Sequence, residues 1–496
     1  MNEIAHLENL LAIPSLATER LAVTSTTLDA LFKAQRIPAI DGSEIFGRLH
    51  LPEYQRPYRW EPTQLARLLD DLRTFFSNGD LPDFQQPHDF YLGSIILHQE
   101  GGNARQRGRL NIIDGQQRLT SLALLHYMQH GNKGAPDLRY SSPESQKRIR
   151  RNLAWLEQQT LPWIDFTRVN ISLVVTRSED DAYRFFETQN TSGVRLGGAD
   201  IIKAHHLRTI PNANQDDYAR AWESLHDLKP LVATLMKSRH WQKLRWRNVA
   251  SDRDPLAERN EIVHELAERT QAGGPDVAYR TARIETGADG AVSQVTEPGY
   301  DMRQPLSTGV NAIRYIEYFH DLRESILGPM KNAAPGSFES LYNRLSVDAG
   351  GSVFLSRIYD CAMLLYVNQF GKARILEASL WLFRMVFSLR LINDVSVRED
   401  GAQSLVRQQP VLDWIATSHS HEQLMEYLRA YKYVASPEGL DRNSIKKRFI
   451  KSVEITMGLE LPWENVSDIP AVYDARLREA IDRFCLKTTA LQGNNP

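Results

Sequence analysis

After Pro62, the apolar residues Leu65, Leu68, Leu69, Leu72, Phe75 and Phe76 recur at helical spacing until Asn78-Gly79 ends the pattern. That spacing predicts an amphipathic helix with proline at its first position. Three runs read instead as strands: "FYLGSIILH" (90–98), "RLNIID" (109–114) and "NISLVV" (170–175), the first two joined through Gly101-Gly102. Before them, "GRLHLPEYQRPYRWEP" reads as a strand followed by a loop rich in proline and aromatics. Leu119, Leu122, Ala123 and Leu125 begin a helix that runs toward His130-Gly131. Ser178 with Asp181 resembles a capping box, predicting a helix over 179–189. "NTSGVRLGG" breaks that helix, and "ADIIKAHHL" opens the next.

Strands and helices alternate up to about residue 210, and the rest of the chain is mostly helical in pattern. The predicted class is α+β, with an N-terminal helical segment (1–40), a mixed domain (41–210) and a large α-helical domain (211–496). The stretch Thr270 to Gly299 is poor in large apolar residues, predicting a surface insertion or a mobile loop. A length of 496 residues is too great for one ordinary core, which agrees with more than one domain. Net charge is −2, so any contact with nucleic acid must be a local patch. Only Cys361 and Cys485 are present, which excludes a cysteine-built zinc site and fits a reducing cytoplasm. "MNEIAHLENLLAIPSL" lacks the basic start of a signal peptide. The most apolar stretch, 353–392, is broken by charges such as Arg357, Asp360, Arg384 and Arg390, which predicts core helices rather than a membrane span.

The chemistry concentrates at "NIIDGQQRLTSL" (111–122), where a strand turns into a helix. The first N–H groups of a helix lack intrahelical partners and, with the helix dipole, favour an anion. Gly115 allows close backbone approach, Gln116 and Gln117 are neutral donors, and Arg118 offers a fork suited to phosphate oxygens. Asp114 is placed to hold a metal ion or orient a water. The competing reading has Asp114 as a helix cap and Arg118 in a structural ion pair. Arg56 and Arg59, with Tyr54, Tyr58 and Trp60, suit gripping a base and its phosphates, or else packing as an aromatic loop. Further on, "FFETQNTSGVRLGGADIIK" supplies Asn190, Gly193, Asp200 and Lys203, the last two spaced to pair on one helix face.

Together, "YQRPYRW", "YLGSIIL", "IIDGQQRLTSL" and "FFETQNTSGVRLGGADIIK" resemble the N-terminal domain of GmrSD-type restriction proteins, the DGQQR-motif family related to the ParB/sulfiredoxin fold. The resemblance covers about Leu49 to His206. It implies a ParB/sulfiredoxin-like domain with added helices, in a cytoplasmic protein of defence against foreign DNA. It also implies binding and hydrolysis of a nucleoside triphosphate, with a divalent ion such as Mg²⁺, that gates a nuclease. Carried onto this chain, Asp114, Gln116, Gln117 and Arg118 become catalytic, with Asp114 also on the metal. Gln55, Arg56, Tyr58, Trp60, Gly115, Asn190, Gly193, Asp200 and Lys203 become the nucleotide-binding residues.

The family's full-length members carry a C-terminal HNH nuclease, and no matching arrangement is recognisable after residue 250. His419 and His421 are the nearest remnants. The expected partners are therefore DNA and a separate nuclease or effector protein; homo-oligomerisation is left open. For DNA, "KSRHWQKLRWR" interleaves Lys237, Arg239, Lys243, Arg245 and Arg247 with Trp241 and Trp246, a pattern suited to phosphates and bases or to a protein interface. A nucleotide-hydrolysing regulatory component leads. A non-catalytic DNA-binding scaffold and a self-sufficient nickase are the alternatives.

Overall fold

The structure is a computed structural model that describes residues 21–77, 89–100, 108–178, 181–182, 184–185, 197–243, 249, 254–280, 282–287, 289–328, 336–348, 352–392 and 397–492, the last six of these without side chains. The chain divides into two compact units, 1–223 and 224–496.

The first unit is built on a five-stranded mixed sheet. Its strands are β1 (Ala22–Thr27), β4 (Arg48–His50), β5 (Phe90–Glu100), β6 (Arg109–Asp114) and β7 (Val169–Thr176), in the order β1-β7-β5-β6-β4. β5 pairs antiparallel with β6 and parallel with β7, and β4 runs parallel to β6 with Arg48 opposite Arg109. β2 (Ile37–Pro38) and β3 (Glu44–Ile45) form a separate two-stranded ladder. Alternation along β7 sends Val169, Ile171, Leu173 and Val175 into the core beside Ile95, Leu97, Leu110 and Ile112. Leu65, Leu69 and Leu72 of the helix Pro62–Ser77, and Leu119, Leu122 and Leu125 of the helix Gln116–His130, complete it.

One expectation is corrected. In the described part of the N-terminal segment, residues 22–27 form the edge strand β1 rather than a helix, followed by a helix of one turn, Leu28–Phe32. "AVTSTT" is rich in β-branched residues (Val23, Thr24, Thr26 and Thr27), and pairing with β7 decides its state. The stretch 270–299, expected as a surface insertion or a mobile loop, carries a largely exposed antiparallel hairpin of β8 (Arg283–Thr286) and β9 (Val292–Val295). Its base is anchored by the Arg280–Gly299 bridge and by Arg280 Nη1 donating to the Asn368 carbonyl at 2.5 Å. Ser178 does cap its helix, accepting from the Asp181 amide, but most of 179–189 lies outside the described residues.

The second unit is otherwise helical. Helices Val353–Phe370 and Ile375–Ile392 are buried along most of their length and pack on each other. A buried charge among them is met by the protein's own acceptors, as burial requires. Arg384, 1% exposed, sets its fork on Asp474 at 2.7 Å and donates to the carbonyls of Leu428 and Tyr431. Among the described residues no helix is long and apolar enough to cross a membrane.

Candidate functional site

β6 ends at Asp114, and Gly115 turns the chain into the helix Gln116–His130 with φ of +92°. Two constraints hold glycine there: a left-handed φ, and a Cβ that would lie 2.3 Å from Ile95 Cδ1. Close packing against β5 thus accounts for Gly115 without any ligand. Gly115 also provides no side-chain cap, so the first N–H groups of a four-turn helix keep their anion-attracting end open.

The glutamines turn inward, against the expectation that they face substrate. Gln116 and Gln117 are 4% and 8% exposed. Gln116 Nε2 donates to the Arg56 carbonyl at 2.8 Å. Gln117 Oε1 accepts the backbone amides of Arg59 (2.8 Å) and Trp60 (3.2 Å), while its Nε2 donates to the Pro57 carbonyl. From the other side, Gln55 Nε2 donates to the carbonyls of Ile112 and Ile113. Tyr58, fully buried, is hydrogen-bonded through its hydroxyl to Ser121 and Asn152. Asn152 also donates to the Trp60 carbonyl. These amides and hydroxyls stitch loop 55–60 to the end of β6. Gln55, Tyr58, Gln116 and Gln117 thus tether loop 55–60 to the junction.

The loop so held presents arginines. Arg59 is exposed and lies 3.4 Å from Asp200. Arg56 is half-buried; burial lowers its pKa, the charges of Asp200 and Asp114 oppose that, and Arg59 reinforces it. Three guanidinium groups, Arg56, Arg59 and Arg118, thus share one neighbourhood with two carboxylates, Asp114 and Asp200, for a net charge of +1. Arg59, read from sequence with Arg56 as suited to gripping a base and its phosphates, is not among the nucleotide-binding residues that the resemblance carries over.

Arg118 has a different occupation. Its Nη1 and Nη2 donate to the carbonyls of Leu92 (3.1 Å) and Ser94 (2.7 Å), and Nη2 lies 3.5 Å from Asp114. β5 is irregular there, between Tyr91 and Gly93, and a Cβ on Gly93 would lie 2.5 Å from Arg118 Nη1. The fork expected on phosphate therefore braces a β-bulge. Asp200 and Lys203 do not pair with each other. Asp200 closes the capping box at Gly197, and Lys203, 3% exposed, bonds Glu223 at 2.7 Å and the Gln55 carbonyl.

The metal expectation at Asp114 does not fit the side chains around it. Its carboxylate faces the cations Arg118 and Arg56, and among the described residues no three His, Cys, Asp or Glu side chains are grouped to hold a metal ion. Asn190 and Gly193 lie outside the described residues.

Residues 38–207 match the family described as the GmrSD restriction endonuclease, N-terminal domain. The match spans the stitched loop, the β6 junction and the helix bearing Asp200 and Lys203. It supports a GmrSD-type restriction protein, a kind of anti-phage defence protein. Residues 214–442 match a family of unknown function (DUF7834). No curated protein matches the chain.

Outside the GmrSD-type segment, the basic tryptophan cluster is redistributed by folding. Lys237 and Trp241 are each 4% exposed. Arg239 bonds Glu265 at 2.7 Å and the carbonyls of Met302 and Gln304. These three are interior residues, which corrects their assignment to a DNA-binding surface. Lys243 alone of the described members is exposed; Arg245, Trp246 and Arg247 lie outside the described residues. His419 and His421 are separated as well. His419 is exposed, whereas His421 is buried between Tyr366 (2.8 Å) and Glu377 (3.2 Å).

Proposed function

We propose that the first unit binds a nucleoside triphosphate at the β6–helix junction and hydrolyses it to regulate a restriction-type response to foreign DNA. The observation that carries this reading is the stitched loop: buried amides hold Arg56 and Arg59 beside an uncapped helix start. Backbone N–H groups of Gln116 and Gln117 would receive phosphate oxygens, with Gly115 keeping side chains out of their way. Arg59 would exchange its exposed bond with Asp200 for a phosphate, since such a surface pair contributes little. Water attacks the terminal phosphorus, the bond to the bridging oxygen breaks, and the diphosphate leaves together with inorganic phosphate and a proton. Asp114 accepts a hydrogen bond from that water, and the arginines stabilise the charge that develops on the oxygens. A ParB/sulfiredoxin-like origin for the sheet, a cytoplasmic setting, and a separate nuclease that acts on DNA belong to the same proposal.

One observation favours a second reading, a binding module without turnover. Gln116, Gln117 and Arg118 are all engaged with the protein's own backbone, which leaves Asp114 as the sole acid–base group at the helix start. The experiment is a panel of nucleoside triphosphates incubated with the purified full chain, with and without DNA. Release of phosphate from at least one is expected. Binding without release would favour the second reading, and neither binding nor release would overturn the first.

A further inference from the structure

The second unit holds a cavity of about 550 Å³, a size suited to a small ligand. Its wall carries four cations (Lys229, Lys237, Arg323 and Arg357) and two carboxylates (Glu258 and Asp360), a net charge of +2. The acids are partly occupied, for Tyr342 donates its hydroxyl to Asp360 at 2.8 Å. Lys237 is 4% exposed, and burial followed by the Arg357 charge lowers its pKa, so an anion placed there would relieve an unfavourable concentration of positive charge. Among the described residues, the hydroxyl groups of Ser346 and Ser352 are buried without hydrogen-bond partners, and Ser346 is 2% exposed. Both residues line the cavity. The helix Val353–Phe370 starts on the same wall, and its N-cap, Ser352, makes no side-chain capping bond. Cavity, excess cations, and unpartnered hydroxyls at an uncapped helix start all suit one chemistry.

We propose that this cavity binds a small phosphate-bearing ligand, its phosphate seated at the start of the helix Val353–Phe370 among Lys237, Arg323 and Arg357. A dianion matches the net charge of the wall, and phosphate oxygens accept from arginine forks, serine hydroxyls and helix N–H groups together. The assignment does not depend on the nucleotide site of the first unit.

The test is calorimetric titration of the full-length protein with two probes, inorganic phosphate and adenosine monophosphate. Saturable binding of either is expected, weakened at least tenfold in Arg357→Gln. Binding of phosphate identifies a free anion as sufficient, and binding of the monophosphate alone identifies a phosphorylated molecule; both support the site. Lys229→Gln, at an exposed position, provides a variant that keeps the fold and should also weaken binding. Absence of binding by both probes would overturn the proposal. So would binding indifferent to Arg357→Gln and Lys229→Gln.

Discussion

Loop 55–60 and the segment 237–241 look alike in composition, each mixing cations with aromatic residues, yet the fold treats them in opposite ways. In the loop, the aromatic Tyr58 goes inside and Arg59 goes out, because Gln116 and Gln117 satisfy the loop's backbone while Gln55 bonds back to the end of β6. In 237–241 the cations themselves go inside. Arg239 finds a buried carboxylate in Glu265 and two backbone carbonyls, while Lys237 lies over the Trp241 ring. What separates them is the supply of acceptors. A buried guanidinium is tolerated only where its donors are met, and the second unit meets them.

This contrast yields a large expected difference in stability. Arg239→Met should cost about 3–5 kcal/mol, because it breaks a buried pair with Glu265 and leaves two carbonyls without this donor. Arg59→Ala should cost less than about 1 kcal/mol, since its pair with Asp200 is solvent-exposed. Equilibrium urea unfolding measures both, and equal losses would erase the distinction between the two regions.

The junction has a backbone sensitivity that the buried cluster lacks. Gly115→Ala should lose about 1–3 kcal/mol, from a left-handed φ and contact with Ile95. A thermal midpoint unchanged from wild type would remove the packing account of Gly115.

Acid should expose the second unit's buried carboxylates. Burial alone would raise Glu265 and Glu377, but hydrogen bonds and charges from His240 and Arg239, and from His421 and Arg374, outweigh it and hold each at about 2. A depressed carboxyl stabilises fully above its unfolded value of 4.5 and loses that contribution as pH falls toward 2. Stability should therefore fall between pH 4.5 and 2, with a shallower fall in Glu377→Gln. An identical pH profile in that variant would contradict the assignment.

DNA contact through the former cluster should now be small. Lys243→Ala should lower the log–log salt slope of duplex binding by no more than about 0.9, the value of one phosphate. Lys237→Met should not change the slope, because Lys237 is buried. A larger change in slope for Lys237→Met would return that residue to the surface.

Much of the sheet was legible because its strands follow hydrophobic patterning closely: β5, β6 and β7 fall within two residues of the predicted runs. β1 and the β8–β9 hairpin were not, since "AVTSTT" and "RIET" are short and polar and take their state from pairing partners. At the candidate site, the sequence brought loop 55–60, the Asp114–Arg118 junction and Asp200 into one neighbourhood. It could not assign their roles. Whether an amide or guanidinium faces a ligand or a backbone carbonyl depends on residues distant in sequence, such as Leu92 and Ser94 for Arg118. Lys203 likewise chose Glu223, in the following helix, over the nearby Asp200.

The central claim is that Arg56 and Arg59, held by the glutamines, are the groups that act on nucleotide. Phosphate release by Arg59→Ala, at saturating triphosphate and with a thermal midpoint near that of wild type, tests it most directly. The account predicts a loss of about 10²–10³-fold, the magnitude expected when one preorganised charge-stabilising donor is removed. Wild-type turnover in that variant would contradict it.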